Sequence, residues 1–427
     1  MEVKPGYKQT EVGVIPEDWD LVSLGDNATK IGSGITPTGG ERVYKNEGHP
    51  FLRSQNVGWG YLLMDDIAFI DDETHSSFKA TEIEMNDVFL NITGASIGRS
   101  AVADEHVVGG NVNQHVCIIR TKSDHLDHIF LNQFLLSSIG QKQIDSFQAG
   151  GNRQGLNFGQ IRSFRLPLPP LPEQGAIAAA LSGVEALITT LDKLIAKKRD
   201  IKQAAMQELL IGRRRLPGFS GEWVVKRLGD SSTLKARIGW QGLTTAEYLD
   251  SGDYYLVTGT EFKNSYIDWS NCHFVDESRY KQDKNIQLKE QDVLVTKDGT
   301  IGKVALITNL PKPATLNSGV FVIRPIDNAF HPKFLYYLLC SNAFTDFLVQ
   351  LSAGSTINHL YQKDFVSFTY KMPATIDEQT AIANVLSDMD AEITVLEARR
   401  DKTKVLKQGM MQELLTGRIR LVEGGAA

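Results

Sequence analysis

Two short glycine-containing segments have the residue types of a phosphate-binding loop. Gly299-Thr300-Ile301-Gly302-Lys303 places glycines beside a lysine, and Gly94-Ala95-Ser96-Ile97-Gly98-Arg99 repeats the arrangement with an arginine. A nucleotide-binding loop requires a longer spacing and a Ser or Thr after the lysine, where this chain has Val304. Each segment is therefore predicted to be a turn between two strands, which either presents backbone N–H groups and one cation to a phosphate or serves only the fold.

Residues that could hold a metal ion or perform catalysis are scattered. His125 and His128 form a short H-x-x-H, but no Cys, Asp or Glu cluster makes a site with them, and the cysteines lie far apart at positions 117, 272 and 340. The N-P-P-Y and D-P-P-Y sequences of amino-methyltransferases are absent, and the glycine-rich stretch from Gly32 to Gly40 lacks the strand-to-helix context of a cofactor loop. The sequence therefore predicts no metal site and no catalytic centre in this chain.

The elements that position these turns belong to a repeat. Residues 173–216 recur at residues 378–421 with a constant offset of 205 positions, as 378 minus 173 and 421 minus 216 both give. Both copies have apolar residues at spacings of three and four, begin after a proline-containing stretch and end at a glycine. We expect two helices at 173–211 and 378–416, each about 39 residues or roughly 58 Å long. Each apolar stripe is buried either against its own domain or against the other helix in a coiled coil.

The segments between the helices are related more loosely. At an offset of 204 they share Trp19 with Trp223, Gly98 with Gly302, Asn113 with Asn317, Arg120 with Arg324, and Phe164 with Phe368. The link GRRRLPGFSGEWVVKRLGD corresponds to the C-terminal GRIRLVEGG followed by the N-terminal VGVIPEDWDLVSLGD. The chain is thus a tandem duplication with a circular order, which predicts a pseudo-two-fold arrangement with adjacent termini. Strand patterns in DVFLNITGASIGRSAVA, DVLVTKDGTIGKVALI, HVCIIR and GVFVIR, with helical patterns in HIFLNQFLLSS and PKFLYYLLCS, predict an α+β domain in each copy.

Composition sets only broad limits. The length of 427 residues suggests two to four domains. The 45 basic and 51 acidic residues give a net charge of −6, which leaves nucleic-acid binding open because one face can be basic while others are acidic. There is no basic start followed by an apolar stretch and no run of about 18 apolar residues, so we expect neither secretion nor a membrane span. The widely spaced cysteines fit a reducing cytoplasm.

The repeat, the PEQ and DEQ helix starts, the QELL-x-G-R helix ends and the G-x-I-G-K/R turns together resemble the specificity subunit of type I restriction-modification systems. The resemblance covers essentially the whole chain. It implies an α+β fold in which two tandem α/β target recognition domains are separated by two long helices that form an antiparallel coiled coil. It also implies a non-catalytic subunit whose domains each recognise one half of a bipartite asymmetric DNA site, while the helices set the spacing and dock the partner subunits.

The same resemblance implies partners, cofactors and domain limits. The expected partners are double-stranded DNA, two modification (methyltransferase) subunits and restriction (endonuclease and translocase) subunits, with no membrane. S-adenosylmethionine, ATP and Mg²⁺ are expected in the partner subunits, and no cofactor is expected in this chain. The expected limits are 1–168 for the first target recognition domain, 169–216 for the first helix and link, 217–373 for the second target recognition domain, 374–418 for the second helix and 419–427 for the tail.

Base recognition requires Arg or Lys for guanine, Asn or Gln for adenine, and small or aromatic groups for thymine methyls. The polar, glycine-punctuated loops of each domain supply such residues, although Asn, Gln and Gly are also ordinary turn residues. In the first domain the candidate DNA-binding residues are Thr36, Thr38, Arg53, Gln55, Asn56, Trp59, Arg99, Asn152, Arg153, Gln154 and Asn157. In the second domain they are Arg237, Trp240, Gln241, Thr258, Lys263, Lys297, Lys303, Ser355, Asn358, Tyr361 and Lys363.

Two other functions stay open on the sequence. One is a scaffold that does not bind DNA, in which the coiled coil joins two ligand-binding domains. The other is the recognition part of a fused restriction-methylation enzyme, which the missing catalytic motifs disfavour. The basic run 213–215 is expected to stabilise a helix C-terminus rather than contact phosphate.

Overall fold

The computed structural model describes residues 4–148, 155–263, 266–352 and 359–421. The chain forms two compact units, the first made of Met1–Asp192 with Ala398–Ala427 and the second of Lys193–Glu397. Each unit therefore contains one α/β domain and one half of each long helix. The expected sequence limits kept each helix whole, whereas the compact units divide both helices near their middle.

The first unit is built from short strands and helices connected by 3₁₀ turns. Its strands are β1 (Tyr7–Thr10), β2 (Gly13–Pro16), β3 (Asp20–Ser23), β4 (Ala28–Ser33), β5 (His49–Leu52), β6 (Ala68–Ile70), β7 (Val88–Asn91), β8 (Ser100–Val102), β9 (Asn111–Val112), β10 (Val116–Thr121) and β11 (Arg165–Leu168). Its short helices are α1 (Asp72–Ser77), α2 (His128–Leu136), α3 (Ser138–Ser146) and α4 (Phe158–Arg162).

The domain of the first unit has two main sheets, besides the strand pairs β1-β2 and β11-β3. The larger has the order β4-β10-β7-β8 and is antiparallel, and the smaller has the order β6-β5-β9, in which β5 and β9 are parallel. Every residue of β7 is buried, which explains why its sequence VFLN lacks the alternation of a half-exposed strand. At one end of the larger sheet, Arg120 donates two hydrogen bonds of 2.7 and 2.9 Å to the fully buried carboxylate of Asp87.

The long helices are α5 (Leu171–Leu209) and α11 (Ile376–Leu414), both shared between the units. The strands of the second unit are β12 (Trp223–Arg227), β13 (Ser232–Lys235), β14 (Tyr254–Val257), β15 (Phe262–Lys263), β16 (Tyr266–Ile267), β17 (His273–Val275), β18 (Val293–Thr296), β19 (Val304–Leu306), β20 (Ala314–Leu316), β21 (Val320–Pro325) and β22 (Thr369–Pro373). Its short helices are α6 (Leu228–Ser231), α7 (Glu277–Lys281), α8 (Pro332–Leu339), α9 (Asn342–Ser352) and α10 (Gln362–Phe365).

The second unit repeats the topology of the first. Its sheets have the orders β13-β21-β18-β19 and β17-β14-β20, again with one parallel pair, β14 with β20. Arg324 donates two hydrogen bonds of 2.6 Å to buried Asp292, as Arg120 does to Asp87. The strands and helices predicted from the duplicated segments are therefore confirmed, including the strand-turn-strand around each G-x-I-G-K/R turn.

The helices α5 and α11 run antiparallel where they pair within each unit. In the first unit Glu185 pairs with Lys407, and Asp192 lies 3.4 Å from Arg400. In the second unit Asp390 pairs with Lys202. Asp390 lies 205 positions after Glu185, and Lys202 lies 205 positions before Lys407. As residue numbers rise on one helix they fall on the other, which fixes the antiparallel direction.

Both helices begin two residues earlier than predicted and have 39 residues each. Most of the predicted apolar stripe is buried, but Leu187, Ile201 and Leu406 are 39, 44 and 57% exposed. An 18-residue window of α5, with mean hydropathy 1.3, is long and apolar enough to cross a membrane by length and composition alone. A core helix passes the same test, and in α5 the buried residues Ile177 and Leu181 belong to the core of the first unit.

The end of α11 returns to the start of the chain within the first unit. Arg420 donates to Glu173 at 2.6 and 2.7 Å and to Asp18 at 2.9 and 2.8 Å, and the hydroxyl of Tyr7 donates to the carbonyl oxygen of Gly417 at 3.1 Å. The guanidinium also lies 5.5 Å from the ring centroid of Trp19. These contacts confirm the predicted circular order of the repeat.

We call the contacts of Arg420 with Glu173 and Trp19 the first corner. The second unit has an equivalent second corner, in which the arginine and the tryptophan lie on one continuous stretch of chain. Arg215 donates to Glu378 at 2.5 and 2.7 Å and lies 5.9 Å from the ring centroid of Trp223. Arg215 thus pairs with a carboxylate of α11, while Arg213 lies 3.9 Å from Glu208 near the end of α5. Arg215 therefore links two elements, and the helix-end role expected for the basic run stays a prediction for Arg213.

Candidate nucleic-acid interface

Five loops of the second unit meet at one edge, which we call the second loop edge: 239–243, 258–261, 297–303, 317–319 and 359–363. The parallel strands β14 and β20 end there together, so the loops that follow them are neighbours, and the backbone N–H of Asn317 donates to the carbonyl oxygen of Val257 at 2.9 Å. The strand β18 ends at the same edge, where the N–H of Lys297 donates to the carbonyl oxygen of Gly319 at 2.9 Å. The N–H of Leu360 in turn donates to the carbonyl oxygen of Lys297 at 2.9 Å.

Asn317 holds two of these loops together. It is only 7% exposed, and its Oδ1 accepts from the N–H of Leu243 at 3.1 Å and of Ser318 at 2.8 Å. Its Nδ2 donates to the carbonyl oxygen of Leu243 at 3.3 Å and to the hydroxyl of Tyr248 at 2.7 Å. The loop fixed in this way carries Trp240, whose side chain is 80% exposed. A large aromatic surface left in water beside polar loops is typical of a binding site.

The cations of the second loop edge lie on aromatic side chains or stand free. The Nζ of Lys297 is 5.3 Å from the ring centroid of Phe321, and that of Lys363 is 5.6 Å from the ring of Tyr361. Lys303 is exposed and forms no ion pair with any residue that the structure describes. The one exposed acidic side chain among these loops, Asp298, is bound by His359. The second loop edge therefore combines positive charge with exposed aromatic surface, which suits a nucleic acid.

A matching edge exists in the first unit, which we call the first loop edge: 34–38, 53–56, 92–99 and 113–115. The parallel strands β5 and β9 end there, and the N–H of Asn113 donates to the carbonyl oxygen of Leu52 at 2.9 Å. The amide of Asn91 donates to the carbonyl oxygen of Ser54 at 2.7 Å, which ties the end of β7 to the same place. The partly exposed Arg99 and Trp59, the latter 48% exposed, are the cation and the aromatic side chain nearby.

Two of the predicted DNA-binding residues are buried by the fold. Asn56 is 1% exposed, and its amide accepts from the N–H of Arg53 and donates to the carbonyl oxygens of Leu63 and Asp66. Arg237 is also 1% exposed, and burial lowers the pKa of its guanidinium. Its nitrogens donate to the carbonyl oxygens of residues 316 and 279 and to the side chains of residues 282 and 315. Both side chains support loops and are closed off from the surface in this structure.

Three more predicted residues are engaged within the protein. The guanidinium of Arg53 lies 3.2 Å from Asp66 and 5.3 Å from the ring centroid of Tyr44. Asn157 caps α4 by accepting from the N–H of Gln160 at 2.9 Å. Lys263 is exposed but donates to Asp268 at 3.3 Å. These residues stay predictions as DNA contacts.

The remaining predictions divide by position. Thr36, Thr38, Trp59 and Arg99 lie at or beside the first loop edge, while Gln55 there is bound by Asp66. Trp240, Gln241, Thr258, Lys297, Lys303, Tyr361 and Lys363 lie at the second loop edge. Asn152, Arg153, Gln154, Ser355 and Asn358 lie outside the described residues. Sequence reasoning missed the support role of Asn317, although its match with Asn113 was visible in the repeat.

The described residues contain no group of three or more His, Cys, Asp or Glu side chains placed to hold a metal ion. His125 lies 3.5 Å from Asp124 in an exposed pair. Cys117 and Cys272 are buried, and burial raises the pKa of both thiols to about 12. Both loop edges offer hydrogen bonds, charge and aromatic contact.

Comparison with known proteins assigns these units to a family. Residues 16–201 and 220–405 each match the model of the type I restriction modification DNA specificity domain. The specificity subunit of the type I restriction enzyme MjaIX from Methanocaldococcus jannaschii is 30% identical over 382 residues, which cover 84% of each chain. The EcoKI specificity subunit of Escherichia coli is 21% identical over 306 residues, covering 67% of this chain and 62% of that one.

Solved structures share the fold. The type I restriction-modification S subunit from M. genitalium superposes with a TM-score of 0.61 at 14% identity, covering 97% of this chain and 98% of that one. The HsdS subunit from Thermoanaerobacter tengcongensis gives a TM-score of 0.50 at 18% identity, covering 95 and 98%. With two copies of the specificity domain matched over most of its length, the chain belongs to the family of type I restriction-modification specificity subunits.

Proposed function

We propose that each unit recognises one half of a bipartite, asymmetric DNA site through its loop edge. The observation that supports this most strongly is that the two edges have the same architecture but different exposed side chains. The ends of β5, β7 and β9 in the first unit correspond to the ends of β14, β18 and β20 in the second. Equivalent surfaces with unlike side chains suit two half-sites of unlike sequence.

The charge at the edges supports contact with phosphate as well as bases. Lys303 and Arg99 occupy the final position of the two G-x-I-G-K/R turns, beside backbone N–H groups of the same turns. Lysine and arginine at such turns fix a protein on the duplex without regard to sequence. The net charge of −6 is not an obstacle, since the exposed acidic side chain at the second of these turns, Asp298, is bound by His359.

The chain is proposed to work with catalytic partners rather than alone. Two modification subunits with S-adenosylmethionine would methylate DNA, and restriction subunits with ATP and Mg²⁺ would translocate and cleave it, in the cytoplasm. The support is family membership together with the absence of methyltransferase motifs from the sequence. This chain is proposed to bind none of these cofactors, and its long helices are proposed to dock the partners.

The helices α5 and α11 are proposed to set the distance between the half-sites. Antiparallel ion pairs within each unit hold the helices in one register. Inserting four residues, about one helical turn or roughly 6 Å, into both helices is expected to lengthen the gap between the half-sites. An unaltered gap in an active complex would contradict this role.

The decisive experiment maps methylated adenines in cells that express the chain with its cognate modification subunit. We expect one bipartite motif with a fixed gap, and no methylation by the isolated chain with S-adenosylmethionine. Failure of the assembled complex to bind any duplex would favour the scaffold without DNA binding. Methylation by the isolated chain would favour the fused enzyme.

A further inference from the structure

A buried carboxylate closes the loop that follows β14 at the second loop edge. Glu261 is 3% exposed, and its Oε2 accepts from the backbone N–H groups of Thr258 at 2.9 Å and Gly259 at 3.0 Å. Its Oε1 accepts from the hydroxyls of Thr258 at 2.7 Å and Thr260 at 2.9 Å. The loop is tightly placed, since a Cβ on Gly259 would lie 2.9 Å from Cγ2 of Thr296. All four groups around the carboxylate are donors.

The direction of these bonds determines what the two threonines can offer to a ligand. An ionised carboxylate only accepts hydrogen bonds, and each hydroxyl has a single proton. The protons of Thr258 and Thr260 are therefore taken up by Glu261 or by the hydrogen bond between the two hydroxyls, in which either threonine can be the donor, and only oxygen lone pairs are left to face outward. Thr260 is exposed, and the two hydroxyl oxygens are 2.9 Å apart. The outer surface of this loop is consequently an acceptor surface.

Acceptors select among the groups of DNA. In the major groove, the donors on base edges are the amino groups of adenine (N6) and cytosine (N4), whereas guanine and thymine present oxygen acceptors. Phosphate oxygens are acceptors too, so they have no bond to form with these hydroxyls. We propose that Glu261 is a positioning residue that orients the hydroxyls of Thr258 and Thr260 to accept from the amino group of an adenine or cytosine. This inference rests on the proposed function of the second unit.

The first unit shows that closing this loop does not require a carboxylate. Its equivalent residue, 205 positions earlier, is Asn56, whose Oδ1 accepts from the N–H of Arg53 at 3.0 Å, as Glu261 accepts from Thr258. The amide of Asn56 has no charge and fixes no hydroxyl. An amide at position 261 is therefore compatible with the closed loop but changes the hydrogen bonds that reach the threonines.

The test uses Glu261→Gln, Thr260→Val and Thr260→Ser in the full chain, co-expressed with the modification subunit, with methylated adenines mapped across the genome. Thr260→Val removes the acceptor, so preference at one base pair of one half-site is expected to fall roughly two- to tenfold. Thr260→Ser keeps the hydroxyl and is expected to retain the preference. In Glu261→Gln the amide donates to one hydroxyl and turns its proton outward, so the same base pair is expected to shift toward guanine or thymine.

The outcomes distinguish a failure of this inference from a failure of the proposed function on which it rests. An unchanged motif in Thr260→Val overturns the inference, and in this variant Glu261 keeps its hydrogen bonds from Thr258 and Gly259. Changes at different half-sites in Thr260→Val and Glu261→Gln, or a loss in Thr260→Ser equal to that in Thr260→Val, also overturn it. If the wild-type complex methylates no bipartite motif, the proposed function fails and the inference fails with it.

Discussion

The two units share their supporting ion pairs and differ in the loops that these pairs support. Arg420 with Glu173 in the first unit corresponds to Arg215 with Glu378 in the second, and the helix pairs and sheet-end pairs are duplicated as well. At the loop edges, by contrast, neutral Asn56 corresponds to the carboxylate of Glu261. The comparison shows that one scaffold can change the chemistry that it presents without rebuilding its sheets.

The shared corners are not equally reinforced. In the first unit, Nε1 of Trp19 donates to Glu173 at 3.1 Å, so the buried carboxylate keeps a second donor beside Arg420. In the second unit, Nε1 of Trp223 is buried and has no hydrogen-bond partner among the residues that the structure describes. Glu378 therefore depends on Arg215 more than Glu173 depends on Arg420.

The largest expected effect comes from removing Arg215. Arg215→Ala leaves the buried Glu378 carboxylate without its cation, which costs about 3–5 kcal/mol of unfolding free energy. Arg420→Ala is expected to cost less, because Trp19 still donates to Glu173. Urea unfolding combined with hydrogen exchange in each unit measures the two losses separately. Arg213→Ala, at an exposed pair, is the control. Equal losses of unfolding free energy in Arg215→Ala and Arg420→Ala would mean that the hydrogen bond from Trp19 does not make Glu173 less dependent on its arginine.

A smaller effect is expected at the glycines that end the long helices. Gly212 and Gly417 have φ of 74° and 67°, so alanine costs about 1–2 kcal/mol at either position. A Cβ on Gly417 would lie 2.4 Å from the ring of Pro16, whereas on Gly212 it would lie 3.1 Å from the ring of Trp223. Gly417→Ala should therefore destabilise its unit by about 1 kcal/mol more than Gly212→Ala does.

Thermal unfolding of both variants measures this order. The control is Gly175→Ala, in the first turns of α5, where a Cβ meets nothing within 4 Å. That variant is expected to be neutral or slightly stabilising because alanine favours the helix. If Gly212→Ala lowered the stability more than Gly417→Ala does, the short distance from a Cβ on Gly417 to Pro16 would not be what makes alanine unfavourable at that position.

Next in size are the turn cations of the two loop edges. Lys303→Ala and Arg99→Ala should each lower the slope of log affinity against log salt by about one, with no change in the recognised sequence. Lys284→Ala is the matched control, since Lys284 is exposed and lies far from the second loop edge. Its neighbour Asn285 accepts a hydrogen bond from Arg324 at the opposite end of the sheet β13-β21-β18-β19. Binding of the assembled complex to duplex DNA at several salt concentrations measures the slope. A changed motif in either variant would mean that the side chain contacts a base.

The repeat made much of this fold predictable. A constant offset of 205 positions located both long helices to within two residues, and the strands around the turns followed from the same comparison. Apolar spacing did not predict the exposure of Leu187, Ile201 and Leu406, because what each helix packs against changes along its length. The spacing of apolar residues along the sequence does not show where that change occurs.

The loop residues were harder to predict for a related reason. Arg237 is a residue type that binds guanine, yet its nitrogens are taken up by residues 42 to 79 positions away in the chain. Local sequence does not show such distant acceptors. Residue type therefore pointed to loops that the fold places at the two edges, but which side chains face outward depends on contacts that only the folded unit defines.

The smallest predicted effect concerns Asp18, the carboxylate that the first corner has in addition. Hydrogen bonds from Arg420 hold the pKa of Asp18 below its ordinary value of 3.8. A lowered pKa means that Asp18 stabilises the folded state above pH 3.8 and loses this contribution as pH falls through the folded value. Because Asp18 is largely exposed, its contribution should be below about 1 kcal/mol.

The stability difference between wild type and Asp18→Asn is accordingly expected at pH 7 and should shrink below about pH 4. The matched control in the second unit is Glu222→Gln, because exposed Glu222 occupies the equivalent position 204 residues later and pairs with no cation in the described chain. Unfolding free energies of both variants across this pH range measure the effect. A difference for Asp18→Asn that persists unchanged at low pH would mean that Asp18 supports the corner by packing or neutral hydrogen bonds. The extra carboxylate would then not be the electrostatic feature that distinguishes the two corners.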